Sequence, residues 1–115
     1  MNRHSEWIKE TQPLPESHDI PENTLISITF QQEINRHTLN MRNILILNGN
    51  SGGRLISNCF LYRYIAEERT LYLYLKADAE RLGSNNMIEI IVTGRISNHR
   101  NMRMEIPYSL RFTTQ

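Results

Sequence analysis

The stretch FLYRYIAEERTLYLYLK, Phe60 to Lys76, carries four of the five tyrosines in a chain of 115 residues. They fall in two alternating runs, Tyr62 with Tyr64 and Tyr72 with Tyr74. Alternation at period two marks a strand with one buried face. If AEER (66–69) is the hairpin turn, Ile65 faces Thr70, Tyr64 faces Leu71 and Tyr62 faces Leu73. Directly opposed residues share a face. Phe60, Tyr62 and Tyr64 then join Leu71, Leu73 and Leu75 on one apolar face, which is core. Leu61, Arg63 and Ile65 join Tyr72 and Tyr74 on the other. A slip of one residue would stack all four tyrosines together and set the leucines against Leu61 and Ile65.

On either side of this hairpin the pattern continues. TLISITF (24–30) alternates with Ile26, Ile28 and Phe30 on one face, and NILILN (43–48) and MIEIIVTG (87–94) also read as strands. NGNSGG (48–53) is a turn, since Asn and Gly both tolerate positive φ. It lacks the Gly-Lys-Ser/Thr ending of a phosphate loop. The run from Arg54 to Ile65 reads as continuous β structure, and WIKETQ (7–12) as a short strand stopped by Pro13 and Pro15. ESHD (16–19) reads as a turn. Asn35 is placed to cap a helical turn over 36–40, and KADAERLGSNN (76–86) predicts a second, closed by Gly83. RISNHRNM (95–102) is a polar loop. RMEIPYSLRFTT (103–114) is the last strand, dented by Pro107, which predicts an edge or a bulge. About seven antiparallel strands with short turns and no long helix predict an all-β sandwich. Residues 1–6 are expected to form a loose tail, and 7–115 one domain.

Composition excludes several functions. With 13 basic and 12 acidic residues the net charge is +1, which gives no general pull on nucleic acid or anionic membrane. The start, MNRHSEWIKE, has no apolar signal-peptide segment, and no run approaches the ~18 apolar residues of a membrane span. The single cysteine, Cys59, permits no internal disulfide and reads as a small buried hydrophobe. His4, His18, His37 and His99 show no metal-ligand spacing, and the two aspartates, Asp19 and Asp78, lie far apart. No G-x-S-x-G elbow is present. Neither a catalytic residue, a metal nor a cofactor is expected.

Several segments together resemble a known family. IPENTLISITF followed by QQEINRHTLN resembles the "VP-x-N-x-x-I-x-I-x-F, S-E-x-I-x-x-x-T-L-N" opening of bacterial Ig-like domains of the S-layer (SbsA) type. RTLYLYL is similar to the family's "R-T-L-T-F-x-P" strand, MIEIIVTGRISN to its "Y-T-V-x-V-x-G-I-x-D/N", and PYSLRFTT to its closing "F-x-T" strand. The resemblance runs from about Trp7 to Thr114. The chain departs from the pattern at Lys76, where the family has Pro, at Met87, where it has an aromatic, and in RISNHRNMRM, which lacks the usual glycine. The resemblance implies an immunoglobulin-like sandwich with Greek-key topology, and it favours the register with Leu71 and Leu73 inward. It also implies a non-enzymatic spacer, support or interaction module of extracellular or cell-surface bacterial proteins. Its partners would be neighbouring domains, another protein or a cell-wall polysaccharide.

Two groups of residues are candidates for binding. Tyr72 and Tyr74, with Arg63 beside them, are predicted to be displayed. They read either as ordinary strand surface or as an aromatic platform for a sugar ring or a neighbouring domain. Arg95 and Arg100, with His99 and Arg103, make a basic loop that reads as a solvated cap or as a contact for acidic groups. A carbohydrate-binding module is therefore one alternative to the spacer. A small standalone assembly or virion component that pairs through an edge strand is another.

Overall fold

The computed structural model describes residues 6–115. The expected tail, apart from Glu6, and His4 lie outside the described residues. Among the described residues nine strands form: β1 (Ile8–Gln12), β2 (Ser17–Ile20), β3 (Ile26–Phe30), β4 (Ile44–Asn48), β5 (Arg54–Leu55), β6 (Phe60–Ile65), β7 (Thr70–Leu75), β8 (Met87–Val92) and β9 (Tyr108–Thr114). One sheet has the order β1-β3-β7-β6, the other β2-β9-β8-β4-β5. This is the immunoglobulin arrangement, with β1, β3, β7 and β6 in the places of strands A, B, E and D. Short 3₁₀ turns occur at Arg36–Thr38, Gly49–Ser51, Ser57–Cys59 and Ala66–Glu68. The first has Asn35 as its cap, its side chain accepting from the His37 N–H at 3.1 Å.

Alternation explains the core. Ile26, Ile28 and Phe30 from β3, Leu71 and Leu73 from β7, and Phe60 from β6 face inward. They meet Ile44, Ile46, Ile88, Ile90, Val92, Leu110 and Phe112 of the other sheet, and all are buried. Burying a side chain of this size stabilises the fold by roughly 1.5–3 kcal/mol each.

The structure corrects four local expectations. ESHD is a strand, and it pairs parallel with β9, not antiparallel. Glu16 and Asp19 do have the positive φ of turn residues, 63° and 60°. The strand forms because Pro13 and Pro15 cannot donate to the β1–β3 ladder, so the chain crosses to the second sheet. There Glu16 N–H donates to the Arg111 carbonyl at 2.7 Å, and Gln115 N–H to that of Ile20 at 2.9 Å. The run 54–65 is broken at Ile56–Cys59, where the chain passes from one sheet to the other. No helical turn forms over 76–86. That segment is held open by Leu82 N–H donating to Glu22 and Asn85 N–H to Gln115, at 3.2 and 2.6 Å. Pro107 does not dent a strand: it stands just before β9, which lies inside its sheet between β2 and β8.

The connections 31–43, 66–69 and 93–107 gather at one end. Phe30 N–H donates to Arg69, Asn35 N–H to Ser97, and Gln31 N–H to the Trp7 carbonyl. Residues 21–25, 49–53, 76–86 and Gln115 gather at the other. Trp7 and Gln115 therefore sit at opposite ends of a body 40 × 34 × 24 Å in extent.

Candidate functional site

The β6–β7 hairpin has the predicted register: Tyr62 opposes Leu73, Tyr64 opposes Leu71 and Ile65 opposes Thr70. Tyr62 and Tyr64 point inward but are only half-buried, packed against the core rather than within it. Their hydroxyls explain why. Tyr62 OH donates to the Ile44 carbonyl of the facing sheet at 2.7 Å, and Tyr64 OH accepts from the Ile34 N–H at 3.1 Å. These two rings tie the edge strand β6 to β4 and to the β3–β4 connection.

Burial raises the Tyr62 phenol above its ordinary pKa near 10, with a hydrogen bond to Ser57 partly offsetting it. A raised folded-state pKa gives stability that is complete below pH 10 and lost as pH climbs through the folded value. Tyr62→Phe is expected to lose about 1 kcal/mol at pH 7, because the Ile44 carbonyl loses its donor. Its urea midpoint should then fall less steeply than the parent's above pH 10. Tyr108, also raised by burial, keeps part of that slope. Equal slopes in urea titrations of the two proteins would refute the assignment.

Tyr72 and Tyr74 face out from β7, their ring centroids 6.3 Å apart and tilted by 45°. Tyr72 OH donates to Glu68 Oε1 at 2.5 Å. That bond raises the Tyr72 phenol first, with slight desolvation and the Glu68 charge adding to it. Arg63 stands directly opposite Tyr72, and Leu61 opposite Tyr74. Ser27 flanks Tyr72 on β3. Leu61, Leu25 and Tyr74 are all exposed. Tyr74 also forms one wall of an open groove of about 320 Å³, lined by Asn23, Thr24, Lys76 and Arg81 among others. The face thus offers two tilted rings, an arginine and a groove with amide, hydroxyl and cationic groups.

The structure brings Tyr72, Tyr74 and Arg63 together and leaves Arg95 and Arg100 apart from them, in the β8–β9 connection. Arg95 is engaged with its own fold: Nη2 donates to the Arg42 carbonyl at 2.6 Å and Nε to Asn43 Oδ1 at 3.2 Å. The Arg100 side chain is exposed. This connection is more than a solvated cap, because Ile96, Ser97 and Asn98 are buried. Asn98 Oδ1 accepts from the N–H groups of Arg100 and Met102, and Nδ2 donates to Gln32 Oε1 at 2.9 Å. At the other end Asn86, 1% exposed, plays the same part. Sequence reading missed both asparagines as structural centres. For Asn98 the family's "D/N" position was a signal; for Asn86, one of three polar residues in a turn, there was none. Among the described residues no group of three His, Cys, Asp or Glu side chains is placed to hold a metal. No helix among them is long and apolar enough to cross a membrane.

The family model for the bacterial Ig-like domain matches residues 7–114. No curated protein matches the chain in sequence. Among solved structures, the S-layer protein SbsC (residues 31–844) superposes with a TM-score of 0.60 at 12% identity, over 94% of this chain and 13% of that one. CopC from Methylosinus trichosporium OB3b gives 0.61 at 13% identity, covering 95% of this chain and 92% of CopC. An L,D-transpeptidase from Mycobacterium smegmatis gives 0.58 at 10% identity, over 94% of this chain and 39% of the enzyme. At such identities the likeness is one of fold. The chain spans about an eighth of the S-layer protein it resembles.

Proposed function

The chain belongs to the bacterial Ig-like domain family, and we propose from this that it is a non-enzymatic spacer or support in a surface-attached or secreted bacterial protein. The observation that carries this is the placement of Trp7 and Gln115 at opposite ends of the sandwich. Such a body transmits position between neighbours joined at its two ends, and its partners are neighbouring domains.

A second reading rests on the groove beside Tyr74. Paired rings next to amide and cationic groups fit the stacking and hydrogen bonding that sugars need. One experiment separates the two. The purified protein and its Tyr72→Ala/Tyr74→Ala variant are mixed with insoluble polysaccharides and with peptidoglycan, and the unbound fraction is measured. As a spacer, neither protein is depleted. Depletion of the parent alone, with the variant still folded by circular dichroism, would replace the spacer with a glycan-binding module.

A further inference from the structure

A β-sandwich has four sheet edges, and three of them here are closed to a further strand. β1 has a register shift between Ile8 and Glu10 and runs into Pro13. β2 is four residues long, irregular between Ser17 and Ile20, and has a left-handed residue at Asp19. β5 is two residues long. Past β5, the edge of β4 is sealed: Ser57 Oγ accepts from Ile46 N–H, Ile56 N–H donates to the Ile46 carbonyl, and Tyr62 OH donates to that of Ile44. Natural proteins close edges by shortness, bulges, proline and cover of this kind.

β6 has none of these. It pairs with β7 at all six positions without a shift, and it contains no Pro or Gly. Its backbone direction follows from two bonds. Lys76 N–H donates to Cys59, so 59 and 76 are a hydrogen-bonded pair, and by alternation so are 61–74, 63–72 and 65–70. Phe30 N–H donates to Arg69, which turns residues 69, 71 and 73 of the next strand toward β3, in agreement. The N–H and C=O groups of Tyr62 and Tyr64 and the carbonyl of Phe60 therefore point to the open edge, while the Phe60 N–H donates to the Ser57 carbonyl within its own chain.

We propose that this edge pairs antiparallel with β6 of a second copy of the chain, about a twofold axis normal to the sheet, with Tyr62 opposite Tyr62 of the second copy. This register sets Phe60 opposite Tyr64 of the second copy and the reverse, so the Phe60 carbonyl accepts from the Tyr64 N–H of the second copy and both groups of Tyr62 are used. Side chains of both copies keep their own faces, as an axis normal to the sheet requires. On the outer face Leu61 falls opposite Arg63 of the second copy. A shift to the next register one way halves the bonds, and the shift the other way sets Arg63 against Arg63 of the second copy. The contact is one short strand long, so the dissociation constant is expected on the order of 100 µM. The inference rests on the sheet edges and stands whether or not the aromatic face binds sugar.

The test uses the full chain. Sedimentation equilibrium from micromolar to about 1 mM should show a monomer–dimer equilibrium. Over the same range, amide exchange should slow at Tyr62 and Tyr64 and stay unchanged at Leu61, Arg63 and Ile65. Leu61→Lys places like charges opposite each other twice and should weaken the dimer about tenfold. Adding Arg63→Glu makes both pairs opposite in charge and should restore the dimer, now sensitive to salt. A monomer at every concentration overturns the proposal, and so does a dimer with unchanged exchange at Tyr62 and Tyr64. A Leu61→Lys effect that Arg63→Glu does not reverse overturns the register and the proposal with it.

Discussion

Asn86→Asp is expected to destabilise the domain by about 3 kcal/mol at pH 7, although it exchanges one amide group for one oxygen. The Asn86 Nδ2 donates to Asn48 Oδ1 at 2.8 Å and to the Leu82 carbonyl at 2.5 Å, while Oδ1 accepts from the Asn50 N–H at 2.9 Å. A carboxylate keeps the last bond and sets an oxygen against two acceptors in a buried site. The backbone at 86 also clasps β9: its N–H donates to Thr114 Oγ1 at 2.8 Å and its carbonyl accepts from the Thr114 N–H at 2.9 Å. One residue thus joins the 48–51 turn, Leu82 and the end of the last strand, the first two through its side chain and the third through its backbone. Burial raises the pKa of the introduced carboxyl above its unfolded value. The deficit should therefore shrink as pH falls through the folded value and the group becomes a neutral donor. Asn85→Asp, one residue earlier and exposed, should stay within about 0.5 kcal/mol of the parent. Urea unfolding at pH 7 and pH 4 checks both. A loss below about 1 kcal/mol at pH 7 would show that this end of the sandwich is held by something else.

Gly94→Ala should cost about 2–3 kcal/mol for one methyl group. An added Cβ would overlap the Glu105 carbonyl oxygen and carbon and lie 2.7 Å from its Cα. All three are backbone atoms, so no side chain can swing aside. The approach is close because the Gly94 carbonyl accepts from the Glu105 N–H at 2.9 Å, closing the long β8–β9 connection at its base. Gly53→Ala is the contrasting change. At φ +82° it has open space around the position, so only backbone strain acts, about 1 kcal/mol. Thermal unfolding of the two variants should rank them in that order. The reverse ranking would mean that the base of the connection yields freely.

The β6–β7 hairpin was legible in the sequence because alternation over both runs and the AEER turn act on neighbouring residues. Their register follows from which face is apolar. Alternation gives direction but not depth, so it could not show that Tyr62 reaches across to the facing sheet, that Tyr64 reaches the β3–β4 connection, and that both stay half-exposed. β2 was hidden for another reason. Its partner lies some ninety residues away, while the left-handed Glu16 and Asp19 speak locally for a turn. In 76–86 the helix-forming residues of KADAERL have no apolar stripe to bury, and the ties from Leu82 and Asn85 prevail over intrinsic preference. Asn86 and Asn98 read as solvated turn residues because their burial depends on which connections meet at each end of the sandwich. At the candidate site the outward set was readable from register. The groove beside Tyr74 was not, since residues 23–25 and 76–81 join only in three dimensions.

The parallel pairing of β2 with β9 sets how the molecule answers tension. β2 belongs to the first strands of the chain and β9 to the last, and they lie side by side running the same way. A pull on the two ends of the molecule draws these strands past each other lengthwise. The bonds from Glu16 to Arg111 and from Gln115 to Ile20 then bear the load together in shear, rather than opening one after another as a hairpin unzips. Although β2 is among the shortest strands, tension along the chain reaches its ladder, together with that of β1 on β3, before it reaches the strands between them.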